Sequence, residues 1–265
     1  MYPETESISL TRIILEHVGY PPSVYIRDPD QLPGPAFVAQ INEIVSELNT
    51  GRPIQYILGY TYFCDLKIRV SEKTLIPRPE TEEMVYTIIN HCKEPPAHIL
   101  DIGTGSGCIA LALKNRYSEA EIKGIDISTE ALQVASENGH KNQLDVEWIS
   151  GDILNEDSWK NFEVFDLIVS NPPYVTNNER SMMHPNVLKF EPCNALFVED
   201  GNPLLFYRAI GDLGMKKLNE TGSLCVEINE RLGSETSHIL KTTGFSRVTI
   251  LKDIHEKERF IRAKK

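Results

Sequence analysis

A mixed α/β fold, built on a mostly parallel seven-stranded sheet behind an N-terminal helical domain, is what this 265-residue sequence predicts. Three observations carry that expectation. From residue 97 onward, short apolar strands alternate with amphipathic helices, the arrangement that produces a parallel sheet covered on both faces. The first of those strands runs into a glycine-rich turn, Asp101-Ile102-Gly103-Thr104-Gly105-Ser106-Gly107. The first ~50 residues, by contrast, read as helical.

Each element follows from its own pattern. Leu10, Ile14 and Val18, with Ile13 beside them, share one helix face that stops at Gly19. Phe37, Ile41, Ile44, Val45 and Leu48 mark a second helix. It ends before Asn49-Thr50-Gly51-Arg52-Pro53, because glycine accepts a left-handed cap and proline cannot continue a helix. A proline-rich loop, 21–35, is expected between the two. The period then drops to two: Leu66, Ile68 and Val70 alternate with Lys67 and Arg69. That is a strand buried on one face, and Tyr60–Phe63 before it completes a hairpin. Pro77-Arg78-Pro79 marks a junction. The helix after it is expected to be capped by Thr81, with Met84, Val85, Ile88, Ile89 and Cys92 on one face.

The alternating region predicts strands at His98–Ile102, Glu121–Ile127, Val146–Ser150, Phe165–Ser170, Gly222–Ile228, Ser246–Lys252 and Arg259–Lys264. Helices are expected to start near Ser106, Ser128, Asn202 and Glu230. Only a short acidic loop, Asp253 to Glu258, joins the last two strands, so they are expected to pair antiparallel. The division that results is a helical domain over 1–52, a hairpin linker over 53–77 and an α/β domain over 78–265.

Composition narrows the function classes. Lysine and arginine number 27 and aspartate and glutamate 38, for a net charge of −11. Extended grip on a phosphate backbone runs on basic residues and is not expected. The apolar run Ile109–Leu113 falls far short of the ~20 residues of a membrane span. Met1 to Ser7 carries Glu4 and Glu6 with no basic region, so a secretion signal is not expected. Cysteines 64, 92, 108, 193 and 225 show no CxxC spacing and the histidines no HExxH, so neither a disulfide framework nor a zinc site is suggested. A reducing cytoplasm is the expected location.

The glycine-rich turn sits where a strand becomes a helix. Glycines there let the backbone approach a ligand, and the helix start offers unpaired N–H groups. The pattern is D-x-G-x-G-x-G. A dinucleotide G-x-G-x-x-G would need glycine at Cys108, and no G-K-[ST] or nucleophile elbow is present. Asp126 closes the second strand, where a carboxylate accepts from ribose hydroxyls of a nicotinamide or an S-adenosylmethionine cofactor alike. Asp152, closing the third, reads equally as an acceptor for an adenine amino group, with Ile153 flanking the ring, or as a turn former.

The fourth strand runs directly into Asn171-Pro172-Pro173-Tyr174. Two prolines alone make a rigid turn. At the carboxyl end of a central strand the tetrapeptide has a chemical use. A planar amide or aromatic amine is a poor nucleophile because its lone pair is delocalised. The Asn171 side-chain oxygen and the Pro172 carbonyl are acceptors for its two N–H groups, favouring developing positive charge and leaving the lone pair facing a methyl donor. Tyr174 is expected to stack on the flat group. No dedicated general base is needed.

Asp101–Gly107, Ser170-Asn171-Pro172-Pro173-Tyr174 and Leu75-Ile76-Pro77-Arg78-Pro79-Glu80-Thr81-Glu82 together resemble the release factor glutamine methyltransferase family, also called the HemK/PrmC family. The resemblance covers nearly the whole chain, and Gly51–Gly59 is similar to the family's linker. It implies a class I, Rossmann-like methyltransferase fold with an N-terminal substrate-docking domain. It implies S-adenosyl-L-methionine as cofactor, and as substrate the glutamine of the Gly-Gly-Gln loop of class-1 peptide chain release factors. By position, Gly103, Thr104, Gly105, Ser106 and Gly107 would line the methionine part of the cofactor and Asp126 would hold the ribose. Asp152 and Ile153 would flank the adenine, at a position aromatic in some members. Asn171, with Pro172, Pro173 and Tyr174, would hold the glutamine next to the cofactor. Leu75 falls where some members have an aromatic pocket wall. Arg78, Glu80 and Thr81 are expected to border the cofactor. A monomer acting without nucleic acid or membrane is expected. The alternative from the same acceptor pair is an amino-methyltransferase acting on adenine or cytosine in nucleic acid.

Overall fold

A computed structural model describes residues 2–20, 23, 34–92 and 94–265. The proline-rich loop expected over 21–35 lies almost wholly outside the described residues. The chain divides into two compact units, Met1–Gly59 with His184–Phe190, and Tyr60–Met183 with Glu191–Lys265. The boundaries expected at 52 and 77 therefore shift. The hairpin belongs to the larger unit. A short helix after Pro53, for which the sequence gives no period, joins the smaller one.

In the smaller unit, α1 (Glu4–His17), α2 (Pro35–Asn49) and α3 (Ile54–Leu58) enclose Ile14, Ile44, Leu48 and Ile54. Leu10, Val18 and Ile41 pack against them, as their helical spacing requires. The Tyr2 hydroxyl donates to the Leu48 carbonyl at 3.1 Å and ties the start of the chain to the end of α2.

The larger unit opens with the hairpin β1 (Tyr60–Phe63) and β2 (Leu66–Arg69), paired antiparallel with Phe63 opposite Leu66. Cys64 and Asp65 form its two-residue turn with φ of +46° and +64°. Both central residues are left-handed, the geometry that follows strand twist, adopted here without glycine. Asn138 anchors the hairpin. Its Oδ1 accepts from Arg69 N at 2.7 Å, and its Nδ2 donates to Arg69 O at 3.0 Å and to Ser106 O at 2.9 Å.

The helix α4 (Pro79–His91) starts two residues before Thr81, with Arg78 as its cap, so Thr81 is not the capping residue expected. Beyond it the strands β3 (His98–Ile102), β4 (Glu121–Asp126), β5 (Glu147–Ser150) and β6 (Phe165–Ser170) alternate with α5 (Cys108–Arg116) and α6 (Thr129–Asn142). The segment 176–192, polar and broken by prolines, is structured. It holds the short strand β7 (Val175–Thr176), a 3₁₀ turn over Asn177–Met182 and α7 (Pro185–Phe190). Thr176 and Glu179 form a capping box that starts the 3₁₀ turn. Next come α8 (Cys193–Leu196), β8 (Phe197–Val198), α9 (Leu205–Lys217), β9 (Leu218–Glu227), α10 (Gly233–Thr243), β10 (Arg247–Lys252) and β11 (Glu258–Lys264). The strand β9 begins four residues earlier than expected. The polar run Asn219–Gly222 reads as a turn, and it is instead taken up where the β6–β9 register shifts.

The sheet order is β10-β11-β9-β6-β3-β4-β5. The pairs from β9 to β5 are parallel, and β11 is antiparallel to both β9 and β10. Its core joins strand residues Leu100, Ile125, Ile168, Leu224 and Ile261 to Tyr207, Ile210 and Leu213 of α9. On α5 every residue from Cys108 to Leu113 is buried, which explains why that stretch is apolar all round. Among the described residues, no helix is long and apolar enough to cross a membrane.

Strand order reverses at β3, which has β4 on one side and β6 on the other. That switch point is where ligands enter an open α/β sheet, outside the carboxyl ends of the strands. Ser170 ties the two strands there, donating from Oγ to the Ile102 carbonyl at 2.7 Å.

Asn138→Ala is expected to destabilise the protein by roughly 2–3 kcal/mol, because it strands the buried Ser106 carbonyl and the partly buried N–H and carbonyl of Arg69. Urea unfolding measures this, and a loss below about 0.5 kcal/mol, the scale of a neutral surface change, contradicts the anchoring role.

Candidate active site

Gly103, Gly105 and Gly107 adopt φ of +69°, +56° and +79°. This left-handed run delays α5 to Cys108, two residues after the start expected at Ser106. A Cβ on Gly103 would meet nothing within 4 Å. One on Gly107 would meet the Trp148 ring at 2.7 Å and Ala135 at 3.0 Å. Gly103 thus leaves room for a ligand, whereas Gly107 leaves room for Trp148. Two N–H groups, of Gly103 and Thr104, donate to the Ile125 carbonyl at 2.9 and 3.1 Å and lash the turn to the end of β4.

Asp126 organises the next position. Its Oδ2 accepts from Gly105 N at 2.8 Å and its Oδ1 from Ser128 N at 2.9 Å. Burial pushes its carboxyl above the usual range, and the N–H groups of Ser128 and Gly105 oppose that shift. Asp152 does what a turn former does, its Oδ1 accepting from Leu154 N at 2.9 Å. It also lines the cavity.

A cavity of about 280 Å³ lies over these strand ends. Gly103, Thr104, Gly105, Ser106, Asp126, Asp152, Ile153, Asn171, Pro172 and Pro173 all line it, as do Leu75, Arg78 and Thr81. Three expected residues stand elsewhere. Gly107 packs on Trp148 and Ala135. Glu80 is absent from the lining. Tyr174 turns into the core and donates its hydroxyl to Glu227 Oε1 at 2.9 Å, so it does not form the stacking wall. Sequence reasoning missed Ile127, Leu154, Asn194, Ala195 and Phe206 in the lining. The first two flank motif residues and were within reach of the strand-end argument, but the last three come from segments with no local signal.

Asn171 is held from behind. Its Nδ2 donates to Thr81 Oγ1 at 2.9 Å, and Thr81 Oγ1 donates to Glu227 Oε2 at 2.7 Å. The side-chain oxygen of Asn171 is then the atom it offers to a ligand. Glu227 is 1% exposed. Burial pushes its carboxyl up, against the hydrogen bonds from Thr81 and Tyr174. Both cationic side chains of the lining are neutralised, with Lys73 on Glu130 and Arg78 on the buried Glu191, each at 2.6 Å.

Sheet order, switch-point cavity and an amide acceptor at the end of β6 together define a class I, Rossmann-like methyltransferase. Solved structures share that fold. A methyltransferase from Pyrococcus furiosus superposes with a TM-score of 0.55 at 18% identity, over 75% of this chain and 88% of the other. The Thermus thermophilus 16S rRNA N2 G1207 methyltransferase, in complex with AdoMet and guanosine, gives 0.56 at 16% identity, over 78% and 49%. The family model "Methyltransferase small domain" matches residues 84–190. Relatives narrow the class further. The release factor glutamine methyltransferase of Flavobacterium psychrophilum is 45% identical over 84% of this chain and 79% of its own length. That of Bacteroides thetaiotaomicron is 42% identical over 84% and 80%. The chain belongs to the release factor glutamine methyltransferase family.

Behind the turn, Asp101 is fully buried. Its Oδ2 accepts from Thr104 Oγ1 at 2.6 Å, while its Oδ1 has no partner among the described residues. Burial raises its pKa from 3.8 to about 7. A raised carboxyl gives stability that is complete below the unfolded value and drains away as pH rises toward the folded one. Wild type is therefore expected to lose roughly 3 kcal/mol against Asp101→Asn between about pH 4.5 and 7.5. Urea unfolding of the ligand-free pair tests this, and a gap independent of pH contradicts it.

Proposed function

We propose that this protein transfers a methyl group from S-adenosyl-L-methionine to the N5 amide nitrogen of the glutamine in the Gly-Gly-Gln loop of class-1 peptide chain release factors. One observation carries the reading. Asn171 lines the switch-point cavity with its amino group committed to Thr81, and so presents an acceptor.

The residues of the cavity fit the donor. Gly103 leaves backbone exposed where a side chain would intrude. Asp126 is fixed by two N–H groups and keeps lone pairs for a ribose diol. Ile127, Ile153 and Leu154 supply apolar walls for a purine. Among the described residues no salt bridge neutralises Asp126 or Asp152, whereas both lining cations are paired. That balance suits a group carrying a sulfonium and an ammonium better than a pyrophosphate.

When bound, the donor supplies a methyl group on positively charged sulfur. The chain's own residues prepare the acceptor. The Asn171 oxygen and the Pro172 carbonyl each accept one N–H of the glutamine carboxamide. This stabilises the positive charge that grows on nitrogen as it bonds to carbon, and holds its lone pair toward the methyl at ~3–3.5 Å. Two prolines fix the bend before the substrate arrives. The extra proton leaves the nitrogen after transfer, with no dedicated base. The N-terminal helices act as the docking module, since a short loop on a folded partner offers little binding area. We read the protein as a cytoplasmic monomer that needs neither nucleic acid nor membrane. The nucleic-acid alternative is not supported, because the relatives of high identity carry the release factor name.

Mass spectrometry of a release factor incubated with protein and donor is expected to find one added methyl on the Gly-Gly-Gln glutamine. Preferential methylation of DNA or RNA would overturn the reading. Asn171→Ala is expected to fold normally and lose about 10²-fold or more in kcat, the scale of removing one preorganised polar contact. Unimpaired turnover refutes its role.

A further inference from the structure

Four side chains from three segments, α4, β9 and the loop after β6, form one chain of hydrogen bonds behind the cavity. Tyr174 OH donates to Glu227 Oε1 at 2.9 Å, and Thr81 Oγ1 donates to Glu227 Oε2 at 2.7 Å. Asn171 Nδ2 donates to Thr81 Oγ1 at 2.9 Å. The proton count in this chain is restrictive. With Glu227 ionised, its oxygens only accept, so both hydroxyls must spend their single protons on it. Thr81 then has no proton left, and its oxygen can only accept from Asn171. Were the Asn171 carboxamide turned over, two acceptor oxygens would face each other at hydrogen-bond distance in a partly buried place, an unfavourable arrangement.

We propose that Thr81 and Glu227, with Tyr174 bracing the carboxylate, are positioning residues that fix the polarity of Asn171, turning its oxygen rather than its amino group to the substrate. This rests on the reading that the Asn171 oxygen receives an N–H of the substrate amide. A reversed Asn171 would confront that amide donor to donor and hold it off. The assignment also gives Tyr174 a use inside the wall instead of on the substrate. It explains as well why a threonine stands in the first turn of α4 without capping it.

The test removes the hydroxyl and keeps the shape. Thr81→Val, with Thr81→Ala as a second variant should the first not fold, is expected to lower kcat on release factor at least about tenfold. Donor affinity and the KM for release factor stay within about threefold, and Thr81→Ser restores kcat to within about threefold of wild type. Nitrogen-15 NMR reads the same point without substrate. The Asn171 side-chain NH₂ signals are assigned by their loss in Asn171→Asp. One proton should exchange slowly with solvent in wild type and Thr81→Ser, and fast in Thr81→Val. Fast exchange in wild type overturns the proposal. So does a Thr81→Val enzyme with wild-type kcat, or a Thr81→Ser enzyme as poor as Thr81→Val. Slow exchange in a wild type that methylates no release factor upholds the polarity of Asn171 and refutes the substrate instead.

Discussion

An acceptor oxygen that cannot turn away is the contact on which the chemistry of this site depends. An amide nitrogen shares its lone pair with the carbonyl and attacks poorly. Among the described residues, the cavity offers no histidine base to change that. What it has is an oxygen at Asn171 whose opposite end is tethered to Thr81, and through it to a carboxylate with 1% exposure. Fixed dipoles of this kind act without reorganising during the reaction, and a site closed to water strengthens them.

The sheet supplies the place for that contact. Reversal of strand order at β3 opens a crevice between the ends of β3 and β6, and Ser170 locks the two strands together just before Asn171. The turn after β3 and the carboxylate after β4 lie on the same side, bound to each other through Gly105 and Asp126. In the proposed reaction, neighbouring strand ends about one strand spacing, ~5 Å, apart set the donor and acceptor positions.

Much of this was legible in the sequence because it is local. The strand His98–Ile102 and the strand Phe165–Ser170 have the bounds their apolar runs predict. The glycine turn, Asp126 and Asn171 follow from standing at strand ends. What was not legible depends on partners distant along the chain. Thr81 looks like a cap because it follows a proline at a helix start, and nothing nearby announces Glu227, 146 positions away. Tyr174 reads as a stacking ring because its neighbours are substrate-facing, yet its hydroxyl finds a buried carboxylate. Gly107 belongs by pattern to the cofactor turn, and only the Trp148 ring shows that it is there for packing. The helix Ile54–Leu58 is too short to show a period.

The most direct measurement is a crystal structure of the protein with S-adenosylhomocysteine and a release factor fragment containing the Gly-Gly-Gln loop. The account predicts the glutamine carboxamide nitrogen within hydrogen-bond distance of both Asn171 Oδ1 and the Pro172 carbonyl, with Asn171 Nδ2 still on Thr81. A glutamine bound with its nitrogen away from that pair, or an Asn171 that meets it with its amino group, would contradict the account.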